Sequence, residues 1–321
     1  MKIVVMTPEP STLLRMVANQ HQLIGVACDD SAPARGVTGI AREGWHCLCR
    51  APSLQSWARL QRIPYRCYVP DQVDDFASWL ARLEADLLIT CKAPLLPESV
   101  FSIPPLGAIN IHYALLPNYR GGAPLLWQVV NGEQQGGVTV HYIDAGIDTG
   151  AIIRQRAVPL PQGASERKLD EYFGDIAADM MPEVLDAVAA GYAGKQADRE
   201  QPGGVFARNI QQESLVDFIE WDDWPIEKIW RVLRFMEYWP ASHGLQGMWQ
   251  RAMRWKVGGI ISASEADESA WRLAQRGRRL LVRSPRGSIE LRPVLHLPTL
   301  LRGVTAAGRV LASRCVSLTT P

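Results

Sequence analysis

The chain has 321 residues, 47% of them hydrophobic and 21% charged, with a formal net charge of +1 at pH 7. That length suits two domains at the usual ~100–200 residues each, and the composition is that of a globular enzyme, which excludes a disordered or collagen-like chain. No run of about 18 apolar residues occurs, so no membrane span is expected, and the opening Met1-Lys2-Ile3-Val4-Val5-Met6 meets Pro8 and Glu9 too soon for a secretory signal.

Residues 2–6 are expected as a buried first strand. Ser11 is placed to cap a helix over 12–20, and 23–28 reads as a second strand ended by Asp29-Asp30. Strand, helix and strand make the parallel β-α-β unit with its right-handed crossover, in which ligands bind beyond the carboxyl ends of the strands. No G-x-G-x-x-G follows the first strand, which argues against a dinucleotide. Residues 31–48, with Arg35, Arg42 and three glycines, read as a surface loop. Helices are expected over 53–61 and 73–83, and strands over 66–69 and 86–91, the last with the continuous Leu87-Leu88-Ile89 that parallel sheets prefer. Lys92, Ala93, Pro94 and Leu95 then leave that strand's carboxyl end, and a short helix begins at about 97.

The chemistry gathers in residues 107–153. A strand over 107–112 puts Asn110 and His112 on one face by its period of two. The loop Leu116-Pro117-Asn118-Tyr119-Arg120-Gly121-Gly122 follows, then a helix over 123–131 and a strand over 137–143. That strand runs into Asp144-Ala145-Gly146-Ile147-Asp148-Thr149-Gly150, which offers two carboxylates. An Asn amide can donate to a forming oxyanion, a His can carry a proton near neutral pH, and a carboxylate can hold the imidazole ring. From the residues alone Asp144 and Asp148 compete for the last role, Asp144 having an Asx-turn as its plain alternative. His141, opposite in phase to Val140 and Tyr142, reads as a packing or surface residue, and Trp127 as core.

Asn110-Ile111-His112, Leu115-Leu116-Pro117 with Tyr119-Arg120-Gly121, and Gly146-Ile147-Asp148-Thr149-Gly150 together resemble the signature of the formyltransferases that use 10-formyltetrahydrofolate, among them methionyl-tRNA, glycinamide ribonucleotide and amino-sugar formyltransferases. The resemblance covers residues 85–160 most closely. It implies Asn110, His112 and Asp148 as catalytic residues, the last chosen over Asp144 by position. It implies folate contacts from Lys92, Ala93, Pro94 and Leu95, largely through backbone groups, and from Asp144, Gly146 and Ile147, and it places Tyr119 and Arg120 near the acceptor. No metal is required.

A strand over 151–158 and a long helix over 166–190 follow, then a polar, glycine-rich linker over 191–204. Residues 1–204 are thus expected as a catalytic α/β domain with a mostly parallel, Rossmann-like sheet. Residues 205–321 are expected as a smaller domain: a helix over 226–237, then strands over 247–257, 279–283, 288–294 and 309–316 suggesting an OB-like β-barrel. Seven of the eleven tryptophans lie there as hydrophobic payload. From Arg251 onward thirteen Lys/Arg face four Asp/Glu, a local net of +9, either a solvated basic face or an attraction for a phosphate-bearing acceptor. The six cysteines, with only Cys47 and Cys49 close together, complete no zinc site and read as reduced thiols of a cytoplasmic protein.

The expected activity is formyl transfer from 10-formyltetrahydrofolate to a primary amine. The stretch Pro124-Leu125-Leu126-Trp127 and a lysine-free 31–48 point to an amino-sugar nucleotide or similar small amine as acceptor; the basic carboxyl-terminal region keeps methionyl-tRNA as the alternative. A formyltetrahydrofolate hydrolase and a catalytically silent binding module are the readings from other classes.

Overall fold

The computed structural model describes residues 1–29, 53–196, 204–210, 215–239, 253–262, 272–276 and 279–295. The expected loop over 31–48, the strand over 309–316 and three of the cysteines lie outside them. By its contacts the chain divides into two units, one made of Met1–Gln128, Glu133–Pro161 and Arg167–Asn209, the other of Val129–Gly132, Gln162–Glu166 and Ile210–Pro321.

The first unit holds a seven-stranded sheet. In chain order its elements are β1 (Lys2–Met6), α1 (Thr12–Gln20), β2 (Gln22–Asp29), α2 (Leu54–Gln61), β3 (Tyr65–Tyr68), α3 (Val73–Leu83), β4 (Leu87–Cys91), α4 (Glu98–Phe101), β5 (Ala108–His112), α5 (Pro124–Asn131), β6 (Gln135–Tyr142), β7 (Ile152–Pro159) and α6 (Glu166–Ala189). The strand order is β3-β2-β1-β4-β5-β6-β7. The first five strands are parallel; β6 runs antiparallel to both its neighbours, β5 and β7. The sheet is therefore mostly parallel and Rossmann-like.

Local chemistry sets these elements. Ser11 caps α1 by accepting the Leu14 N–H at 3.3 Å, and Ser53 caps α2 by accepting the Ser56 N–H at 3.2 Å. Val4 and Met6 of β1 pack with Phe76 and Leu80 of α3, while Ile3 and Val5 are equally inaccessible. Both faces of β1 are thus covered, which is why its sequence is continuously apolar rather than alternating. Each such side chain contributes about 1.5–3 kcal/mol of burial. In β6 every residue from Gly136 to His141 is buried, so its polar members, Thr139 and His141, must find partners inside.

The second unit contains α7 (Leu215–Phe218), α8 (Ile226–Met236) and the strands β8 (Met253–Ser262), β9 (Arg272–Arg276), β10 (Arg279–Ser284) and β11 (Gly287–Leu295). The strands form an antiparallel sheet in the order β8-β11-β10-β9. Among the described residues this sheet is not closed, so the architecture is a small antiparallel sheet where the sequence suggested a barrel. Strand β9, Arg-Leu-Ala-Gln-Arg, was not expected, because it is short and mostly polar and its apolar residues are adjacent rather than alternating. Trp221, Trp224 and Trp239 are buried, in keeping with their reading as core. Among the described residues no helix is long and apolar enough to cross a membrane.

Candidate active site

Strand β5 carries the site because it changes partners. On one side it runs parallel to β4, with Asn110 beside Thr90; on the other it runs antiparallel to β6, with Asn110 opposite His141 and His112 opposite Thr139. Residues paired across an antiparallel ladder share a face. Asn110, His112, Thr139 and His141 therefore point the same way. The Thr90 hydroxyl donates to Asn110 Oδ1 at 2.9 Å. This fixes the amide so that Nδ2 faces the site.

Thr139 organises the loop that follows β5. Its hydroxyl donates to the Ala114 carbonyl at 2.6 Å and accepts the Leu116 N–H at 3.2 Å, while Gln155 Nε2 donates to the Leu116 carbonyl at 2.8 Å. The Leu116-Pro117 peptide is cis. Tyr119 follows with φ +60°, its hydroxyl donating to the Glu133 carboxylate. Gly121 has φ +117°, and a Cβ there would stand 2.7 Å from the Ala207 carbonyl oxygen. Only glycine fits that turn, and its N–H is the product: it donates to Asp148 Oδ2 at 2.8 Å.

Asp148 arrives from the loop between β6 and β7, which folds back over the sheet face. Asp144 Oδ1 accepts the Gly146 N–H at 3.0 Å and the Thr149 hydroxyl, an Asx-turn that shapes the loop. Gly150 closes it; a Cβ there would meet the Tyr142 carbonyl oxygen at 1.8 Å. Asp148, at φ +51°, then reaches both site residues of β5. Its Oδ2 lies 3.6 Å from His112 Nδ1, and its Oδ1 lies 3.4 Å from Asn110 Nδ2 and 3.5 Å from His141 Nε2. Of these contacts only the Gly121 bond has full hydrogen-bond length. The others are loose enough to be exchanged for a substrate atom.

His112 is 4% exposed. Its Nε2 is 2.9 Å from the Tyr119 carbonyl, which can only accept, so the proton sits on Nε2 and Nδ1 turns its lone pair toward Asp148. Burial holds the His112 pKa below its ordinary value, against the opposing pull of Asp148. Burial pushes the Asp148 carboxyl upward, but its contact with His141, the nearby His112 and the Gly121 N–H outweigh that and hold it below the usual range. The arrangement thus sets a neutral imidazole beside an ionised carboxylate, with an amide donor alongside. It can stabilise an oxyanion and carry a proton in an acyl transfer.

The remaining expected residues are placed as follows. Lys92 leaves β4 with φ +55°, and its Nζ pairs with Asp170 at 2.5 Å. Ala93 and Pro94 are half-buried and Leu95 is 68% exposed. Gly146 is exposed, and Ile147 leaves 38% of its surface open. Leu95 and Ile147 are thus large apolar groups left uncovered. Arg120 is pinned through its carbonyl by the Ala207 N–H, and its buried Nε has no hydrogen-bond partner among the described residues. No cluster of metal-ligating side chains occurs among the described residues.

Sequence reasoning missed three participants. Thr90 is an ordinary strand threonine until its neighbour is known, and Gly121 contributes only a backbone N–H. His141 was read as packing or surface; it is 2% exposed and borders both Asn110 and Asp148. The register of the β5–β6 pair was the signal that could have found it.

Comparison with known proteins adds three findings. Residues 69–185 match the formyl transferase family. The methionyl-tRNA formyltransferase of Staphylococcus aureus (strain JH1) is 30% identical over 247 residues, 75% of each chain. Two solved structures share the fold. One is WlaRD, a sugar 3N-formyl transferase crystallised in the presence of dTDP and 5-N-formyl-THF, with TM-score 0.58 and 17% identity over 92% of this chain and 99% of that one. The other is the N-formyltransferase of Helicobacter canadensis in complex with folinic acid and dTDP-3-aminofucose, with TM-score 0.58 and 14% identity over 91% and 98%.

Proposed function

The chain belongs to the formyltransferase family, and on that premise we propose that it moves a formyl group from 10-formyltetrahydrofolate to the primary amine of an amino-sugar nucleotide or a similarly small acceptor. The observation that carries this reading is the meeting of Asn110, His112 and Asp148 on one sheet face, 38 residues of chain apart at their extremes.

The folate supplies an activated formyl group. Asn110 Nδ2 donates to the formyl oxygen as charge gathers there. The acceptor nitrogen, arriving unprotonated, forms its bond to the formyl carbon, and the proton it sheds passes to the His112–Asp148 pair. The same pair returns a proton to the folate nitrogen as its bond to carbon breaks. The loop of Lys92, Ala93, Pro94 and Leu95 and the turn of Asp144, Gly146 and Ile147 hold the folate; the exposed side chains of Leu95 and Ile147 support this. Tyr119 and Arg120 face the acceptor, where the unpaired Arg120 Nε is matched to an anionic group.

In this reading residues 1–204 carry the chemistry in the cytoplasm. Residues 205–321 form a smaller, OB-like domain that contains the described antiparallel sheet. Methionyl-tRNA as acceptor is the second reading, favoured by the identity of the Staphylococcus aureus relative. The two differ in physics: tRNA binding releases many counterions and weakens steeply with salt, whereas a diphosphate gives a shallow dependence.

The test is formylation of a panel of amino-sugar nucleotides beside charged initiator tRNA, at low and high salt, with tetrahydrofolate release followed without acceptor. Turnover of a sugar nucleotide with a shallow salt dependence is expected. Steeply salt-sensitive formylation of tRNA alone would establish the second reading. Equal folate release with and without any acceptor would instead mark a hydrolase.

A further inference from the structure

We propose that His141 is a positioning residue for this reaction, its Nε2 accepting one N–H of the Asn110 amide whose other N–H reaches Asp148. The inference rests on the formyl-transfer reading for its kinetic test, and on geometry for the rest.

His141 Nδ1 lies 2.7 Å from the carbonyl oxygen of Tyr142. A carbonyl has no proton to give, so Nδ1 carries one, and Nε2 is the ring nitrogen left to face the site. That atom is 3.3 Å from Asn110 Nδ2 and 3.5 Å from Asp148 Oδ1. The amide is held at both ends, its oxygen by the Thr90 hydroxyl and its nitrogen between His141 and Asp148. One N–H of Asn110 points to the His141 lone pair and the other to the carboxylate.

Both imidazoles flank the one carboxylate, their centroids 6.4 Å apart. His141 borders Oδ1, which leaves Oδ2 to His112 and the Gly121 N–H. The two oxygens are thereby given separate tasks. The Asn110 contacts are longer than the 2.7–3.2 Å of a full N–H hydrogen bond, so redirecting one N–H to a forming oxyanion sacrifices little. A residue that merely filled the space between β5 and β7 would need neither a fixed tautomer nor an acceptor at this point, and the direct pairing of Asn110 with His141 makes the contact a consequence of strand register.

The experiment compares His141→Leu and His141→Gln in the wild-type and Asn110→Ala backgrounds. In the wild-type background His141→Leu is expected to lower kcat by about 10- to 100-fold with KM for both substrates nearly unchanged, the loss that misplacing a reacting group produces. Glutamine, whose amide oxygen can take the place of Nε2, recovers most of that loss. In the Asn110→Ala background the leucine change costs no more than about threefold, because residues acting as a unit are not additive. Equal losses in both backgrounds, or wild-type kcat in His141→Leu, would overturn the proposal. Should the leucine variant not fold, ring-nitrogen NMR of the ¹⁵N-labelled wild-type protein decides. The Nδ1–H tautomer is expected, with an Nε2 resonance that moves on Asn110→Ala; an Nε2–H tautomer or an unmoved resonance would refute the role. A wild-type protein that transfers formyl to no acceptor would remove the functional reading while leaving this spectral test intact.

Discussion

Replacing Gly121 by alanine tests how the site is held together. The backbone there sits at φ +117°, and the new Cβ would lie 2.7 Å from the Ala207 carbonyl oxygen and 3.1 Å from its carbon. That carbonyl cannot yield freely, since it accepts the Ala123 N–H at 3.0 Å while the Ala207 N–H is bound to the Arg120 carbonyl. Relief to van der Waals separation requires a shift of about 0.5 Å or more. A side chain forced into this backbone region costs about 1–3 kcal/mol. The same shift stretches the 2.8 Å bond from the Gly121 N–H to Asp148, the full-length bond among the carboxylate's contacts described above. A hydrogen bond to a charged group is worth about 1.5–3 kcal/mol, so its loss translates into roughly 10- to 100-fold in rate at 1.36 kcal/mol per decade. Gly191→Ala is the control: it has φ +76° but nothing within 4 Å of the added Cβ. Both variants should melt a few degrees lower, at about 2–4 °C per kcal/mol for domains of this size. Only Gly121→Ala should lose activity in a kcat/KM assay of formyl transfer. Activity within twofold of wild type in Gly121→Ala, with the expected drop in Tm, would show that the N–H does not position Asp148.

Asn110→Ala, His112→Ala and Asp148→Ala should each lower turnover by about 10²–10³-fold, the usual cost of removing one oxyanion-hole donor, with folded protein confirmed by circular dichroism; a His112→Ala protein near wild-type rate would contradict the assignment. Thr90→Val should lower kcat while leaving affinity for a folate analogue intact, since it frees Asn110 Oδ1 and touches no ligand-facing group; unchanged kcat would mean the amide is oriented otherwise. Stability should fall with acidification in two stages. His112 is held below its ordinary value, so an unfolded chain binds a proton there first, and its contribution, complete above about pH 6.5, is lost as pH drops. Asp148 is likewise depressed, so its contribution goes at lower pH, below about 4. Melting temperatures from about pH 8 to about pH 2 test both stages: the upper decline should shrink in His112→Gln, and a Tm that rises between about pH 7 and 5.5 would contradict the sign.

The parallel half of the sheet was legible because its sequence is punctuated. Ser11 and Ser53 precede their helices, and Leu87-Leu88-Ile89 has no polar alternation to suggest an exposed face. Asn110 and His112 could be placed on one face from period alone. Their partners could not, since Thr90 and His141 join them only through strand pairing, which no local pattern records. The burial of β6 on both faces also hid the part His141 plays, since its phase opposite to Val140 left it only as a packing or surface residue. Asp144 and Asp148 competed for one role from the residues alone, with an Asx-turn as the plain alternative for Asp144; the turn does use Asp144 to shape the loop and presents Asp148 to the histidines. In the second unit the open sheet departs from the expected barrel, and β9 has no alternating apolar residues by which to announce itself.

The reversal of direction at β5 has a consequence for how the protein acquires its site. On one side of β5 the sheet depends on β1 pairing with β4, Ile3 with Leu87, with α1, β2, α2, β3 and α3 between them in the chain, and closing so long a loop carries an entropic cost that grows with its length. On the other side β5, β6 and β7 follow one another along the chain, with Asn110 and His141 only 31 residues apart. Contacts of short sequence separation form fastest. The pairing that sets Asn110 and His112 against His141 and Thr139 is therefore more local than that of β1 with β4, and pulse-labelled hydrogen exchange during refolding should find the β5–β6 amides protected no later than those of the β1–β4 pair. The reacting groups of β5 and β6 would then be set against one another before β1 closes on β4.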